Sequence, residues 1–186
     1  DPDYDGPLTG ASSKITQLIA ARGVGASPRD LEHLHALYAG EVSALDVKVG
    51  ALLDRLSQTL GAENTIIAIL ADHGESLGER GKFFHGEDLF EPAMRIPFLV
   101  SWPGKIEAGK TLGGLVHTLD LAPTLLGLVG IPASAEAEGN DLSGPLLGES
   151  TQEPRNLVAF LETVGGVCIA LGLFPGPAKP PLAALE

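Results

Sequence analysis

The sequence predicts an α/β fold, and three features predict it. Apolar residues at helical spacing run from Ser27 to Leu60, a short β-branched apolar run follows at residues 66–71, and a second apolar run occupies residues 96–102. A helix-period pattern followed by strand-length apolar runs along one chain is the mark of strands covered by helices. With 44% hydrophobic and 19% charged residues, the 186-residue chain has enough apolar material for a core.

Each element has its own signal. Residues 1–25 read as irregular, with Pro2, Gly6, Pro7 and Gly10 as turn signals and one short helical patch at 15–21. Ser27-Pro28-Arg29-Asp30 reads as a helix start: Ser27 can cap, Pro28 suits the first helical position, and Asp30 puts negative charge in the first turn. Leu31, Leu34, Leu37, Tyr38, Val42, Leu45, Val49, Leu52, Leu53, Leu56 and Leu60 follow at helical spacing, and Gly61 is the stop. This stripe predicts a long amphipathic helix packed on one face of a sheet.

Ile66-Ile67-Ala68-Ile69-Leu70-Ala71 is short, continuous and apolar, which predicts an inner strand of a mostly parallel sheet. Residues 72–95 read as a glycine-punctuated loop, and residues 96–102 as a second buried strand closed by the Pro103-Gly104 turn. A third strand is expected at 115–119, a short helix at 120–129, loop at 139–148 and a last strand at 156–163. The segment 174–181 carries four prolines in eight residues and cannot be regular structure.

Twelve basic against twenty-four acidic residues give a net charge of −12, which argues against nucleic acid and anionic membrane surfaces as partners. No run of eighteen apolar residues is present. The single cysteine, Cys168, can make neither an internal disulfide nor a thiolate cage, and reads as a small core residue. The first residue is Asp1, so either a leader has been removed or the chain is a piece of something longer.

Ala71-Asp72-His73-Gly74-Glu75, directly after the first apolar run, stands apart from the rest. Ligands in α/β sheets bind beyond the carboxyl ends of strands, where Asp72 and His73 emerge. A carboxylate beside an imidazole suits a divalent cation, and the intervening loop is long enough to bring His85 to the same point. From Asp72 to Arg95 there are six acids and three bases. Such a loop repels an anionic substrate unless a cation inverts the local field, so it is either a metal site or a solvated acidic surface. Taken alone, the Asp72-His73 pair also fits a cap followed by a surface histidine. His33 and His35 read as surface residues, His117 as a core histidine in a strand, and Asp46 as a buried structural acid. Arg95 is expected to hold the loop through Glu91.

In order, these segments resemble the C-terminal half of a sulfatase, in the alkaline phosphatase superfamily. The series comprises Tyr38-Ala39-Gly40-Glu41-Val42; Asn64-Thr65-Ile66-Ile67 running into Ala71-Asp72-His73-Gly74-Glu75; Gly78-Glu79-Arg80-Gly81; and His85-Gly86. It continues with Arg95-Ile96-Pro97, Pro103-Gly104, Asp120-Leu121-Ala122-Pro123-Thr124, Gly130-Ile131-Pro132 and Gly139-Asn140-Asp141-Leu142.

The resemblance implies an alkaline-phosphatase-like, mostly parallel sheet flanked by helices, incomplete at its N-terminus. Residues 1–150 would be the C-terminal part of the catalytic domain and 151–186 a tail. It implies hydrolysis of a small-molecule sulfate ester, or of a phosphonate or phosphodiester, at a divalent cation, usually calcium with manganese or zinc as alternatives. Asp72 and His73 match metal ligands by position, and His85 matches the residue that contacts the transferred group or the leaving oxygen. The family's Cys/Ser-x-Pro-x-Arg nucleophile segment and first Asp-Asp pair do not occur in the chain. The expected partner is therefore a missing N-terminal half of the domain, and the chain alone is expected to be inactive. A third reading is a truncated, non-catalytic binding module.

Overall fold

The computed structural model describes residues 3–6, 26–86 and 89–151. The expected helical patch at 15–21, the strand at 156–163, Cys168 and the proline-rich end lie outside these residues.

The longest element is α1, Pro28–Leu60, and it begins as the sequence predicts. The Ser27 side chain accepts from the Asp30 N–H at 3.2 Å, while the Asp30 carboxylate accepts from the Ser27 N–H at 2.9 Å. This reciprocal box satisfies two of the amide hydrogens that a helix start leaves open. Gly61 ends the helix at φ 79°, a conformation that a residue without Cβ adopts at no steric cost.

Among the described residues the apolar stripe of α1 is fully buried only at its N-terminal end, while Leu37, Val49, Leu53 and Leu56 are half-buried. Leu34 is buried, with Tyr4, Leu77, Phe83 and Phe84 packed against it. Tyr38, Val42, Leu45, Leu52 and Leu60 are exposed among the described residues, against the expectation of a stripe buried throughout. Periodicity reports which side of a helix is apolar, not what covers it. Two polar assignments reverse as well: Asp46 is exposed, and His33 is buried with its ring stacked on Tyr4 at 3.7 Å.

The strands are β1 (Ile67–Leu70), β2 (Ser76–Leu77), β3 (Phe83–Phe84) and β4 (Phe98–Ser101). Among the described residues they form two antiparallel pairs, β1 with β4 and β2 with β3, where the sequence suggested a mostly parallel sheet with 66–71 as an inner strand. Neither run is buried on both faces as expected, since the paired Ile69 and Leu99 are exposed; strand direction is set by the connection. Here the 27-residue link (71–97) lets the chain turn back, pairing Ile69 with Leu99 and Leu70 with Phe98. The Trp102 indole N–H, donating to the Glu63 carbonyl at 2.9 Å, ties the end of β4 to the turn before β1.

A short helix α2 (Glu91–Met94) lies between β3 and β4, α3 (Leu121–Leu128) follows β4, and α4 (Ser143–Leu147) occupies part of the expected 139–148 loop. The expected strand at 115–119 is absent: its end enters a 3-10 turn at Thr118–Asp120, and His117 precedes that turn. The reason is Asp120, which draws the backbone N–H groups of His117 (2.8 Å) and Asn140 (2.7 Å) onto one buried carboxylate. Thr124 accepts from the Leu142 N–H at 3.0 Å and closes this corner between α3 and α4.

Candidate active site

The chain leaves β1 through Ala71 and delivers Asp72 and His73 at the strand's carboxyl end. Gly74 then passes so close to α2 that its N–H donates to the Ala93 carbonyl at 2.7 Å, and a Cβ there would run into the Pro92 carbonyl oxygen. Only glycine fits that approach. The contact fixes the backbone from which His73 projects.

His73 Nδ1 lies 2.7 Å from the Gly74 carbonyl oxygen. A carbonyl can only accept, so Nδ1 carries a hydrogen, and Nε2 is the nitrogen whose lone pair the neutral ring would offer a cation. That Nε2 is 3.7 Å from Asp72 Oδ1, and the Asp72 side chain is 90% exposed. Two donor atoms bound to one cation at an angle near 90–110° stand about 2.9–3.4 Å apart at zinc distances and about 3.4–3.9 Å apart at calcium distances. The pair therefore fits a shared cation, with the imidazole oriented from behind by a backbone carbonyl as in metal-ligating histidines. Among the described residues no group of three or more His, Cys, Asp or Glu side chains is arranged to hold a metal, so these two are at most part of a coordination shell.

The β2–β3 hairpin returns the chain to this point. Its turn is tightened by the Gly78 N–H donating to the Lys82 carbonyl at 2.8 Å and by the Leu77 N–H donating to Glu79 Oε2 at 2.6 Å. Arg80 takes φ 53° in that turn and lays its guanidinium 4.6 Å from the centre of the Phe90 ring. Beyond β3, His85 stacks on His73 with ring centres 3.6 Å apart and planes 25° from parallel. The structure thus brings together the three site residues named from the sequence. Sequence reading missed Glu75, whose carboxylate oxygens lie 3.2 and 3.3 Å from His85 Nδ1. The signal was the hairpin itself, since a turn between Leu77 and Phe83 sets 75 opposite 85. Arg95 meets Glu91 at 3.0 Å as expected, on an exposed face where such a pair contributes little.

A model of the sulfatase family matches residues 4–131, well over half of the chain. The chain belongs to the sulfatase family. With it comes the alkaline phosphatase superfamily that the sequence resemblance implied. This sulfatase-family chain is 42% identical over 94 residues to the choline-sulfatase of Rhizobium meliloti, covering 50% of this chain and 18% of the relative. It is 35% identical over 117 residues to the ulvan-active sulfatase of Formosa agariphila, covering 62% and 23%. Among solved structures it resembles a 2-O glycosaminoglycan sulfatase (TM-score 0.67, 25% identity, 84% of this chain and 34% of that one). It also resembles a protein solved with its substrate D-glucosamine-2-N,6-O-disulfate (TM-score 0.60, 27% identity, 78% and 29%). The chain thus spans about a fifth of the curated relatives' length and a third of these solved chains.

Proposed function

We propose that this chain is the part of a sulfate-ester hydrolase that supplies two metal ligands and a histidine facing the substrate. The observation that carries the reading is the convergence of Asp72, His73 and His85 at the end of β1, with His73 Nε2 and Asp72 Oδ1 at chelating separation. Asp72 and His73 would hold a divalent cation; calcium follows from the family resemblance, and the imidazole of His73 also suits manganese or zinc. When bound, the cation supplies positive charge to the oxygens of the ester. His85, stacked against His73, stabilises or protonates the oxygen that leaves with the alcohol. The relatives named as sulfatases support sulfate over phosphorus esters, and the choline-sulfatase and the structure solved with a disulfated glucosamine support a small-molecule ester as substrate.

The nucleophile would come from polypeptide outside this chain, and the exposed side chains of Tyr38, Val42, Leu45, Leu52 and Leu60 on α1 support a further portion of the domain as its partner. The test is to assay the isolated chain and the full-length product of its gene on aryl sulfates and phosphonate esters, with calcium and with manganese. The full-length protein should cleave the sulfate ester in a metal-dependent way, and His85→Ala should lower that rate about 100-fold. Preference for the phosphonate, or full turnover by the isolated chain, would contradict the reading.

A further inference from the structure

A carboxylate that sequence reading passed over holds the candidate catalytic imidazole. Glu75 and His85 each sit one residue outside the Ser76–Phe84 pair, so the register of the hairpin sets them opposite one another. Both Glu75 oxygens reach the same ring nitrogen, His85 Nδ1, at 3.2 and 3.3 Å. A carboxylate only accepts, so Nδ1 carries a hydrogen. The Glu75 side chain is the more buried partner, 22% exposed against 46% for His85. Glu75 therefore serves as the fixed end, and among the described residues it pairs with no lysine or arginine. His73 covers one face of the His85 ring at 3.6 Å, while Glu75 fixes its rotation in the plane. The backbone adds a third restraint. Phe84, immediately before His85, stands at φ 67°, a conformation that a bulky residue keeps only where its surroundings hold it.

We propose that Glu75 is the positioning residue for His85. By accepting the hydrogen bond of Nδ1–H it commits that nitrogen and leaves Nε2 to face the ester oxygen, to which the doubly protonated ring would donate its Nε2–H. This rests on the reading of His85 as the group that faces the substrate. Its logic is that of any imidazole whose working nitrogen is chosen by what the other one bonds.

The test separates the two ideas. Nitrogen-15 NMR of the His85 ring in the full chain reads the tautomer without any turnover. Wild type and Glu75→Gln, whose amide oxygen still accepts, should both show hydrogen on Nδ1; Glu75→Leu should show a mixture of the two tautomers. In the full-length protein, Glu75→Leu should lower kcat on an alkyl sulfate about 10- to 100-fold with KM changed less than twofold, and Glu75→Gln should recover most of that loss. A nitrophenyl sulfate, whose leaving oxygen needs little help, should be affected less. An unchanged tautomer in Glu75→Leu, or equal losses in the Gln and Leu variants, would overturn the proposal. If His85→Ala leaves turnover intact, the functional reading fails, and the tautomer measurement still decides whether Glu75 orients the ring.

Discussion

Two aspartates in this chain sit near a histidine, and they are treated in opposite ways. Asp120 is 1% exposed and accepts from the N–H groups of His117 and Asn140 and from the Asn140 side-chain amide at 3.3 Å. Asp72 is 90% exposed at its side chain and accepts the N–H of His73, its own neighbour, at 3.0 Å. A carboxylate surrounded by donors is already used up in holding two loops together. One left open beside a free imidazole nitrogen is available to a ligand. The same pairing of residue types is thus architecture at Asp120 and, under the proposed function, chemistry at Asp72.

The comparison can be broken from its structural side first. Asp120→Ala strands two backbone donors in a buried corner and should cost roughly 3 kcal/mol in urea unfolding; a loss below 1 kcal/mol would mean that water replaces the carboxylate and that the corner is not as closed as it looks. Gly74→Ala should cost about 2 kcal/mol by the same measurement, because the added methyl meets the backbone of α2 and not a flexible side chain. Arg95→Ala should cost under about 1 kcal/mol, since its pair with Glu91 is exposed. Asp72→Ala sharpens the contrast most: its unfolding midpoint should stay within about 2 °C of wild type while metal binding is lost.

The same contrast explains what was legible in the sequence. Ser27, Pro28, Asp30 and Gly61 bound the long helix through local chemistry, so its limits could be read directly. Asp72 and His73 stood out because polar residues next to an apolar strand have few structural uses, and His85 because the loop could return it to them and the family pattern matches there. Direction and coverage were not legible, because both depend on contacts distant in sequence. The antiparallel pairing of β1 with β4, the partly uncovered stripe of α1 and the burial of His33 against Tyr4 all belong to that class. Asp120 misled for the opposite reason: its partner Asn140 lies twenty residues away, so the stretch before it read as strand.

The most direct measurement is a manganese titration of the chain followed by paramagnetic broadening of its NMR signals, repeated with Asp72→Ala and His73→Ala. Two ligands bind a hard cation weakly, so binding should saturate only at high metal concentration. Broadening should centre on residues 72–74 and the His85 ring, leave the Asp120 corner sharp, and disappear in both variants. Broadening that centres elsewhere, or that survives the loss of Asp72 and His73, would contradict the account.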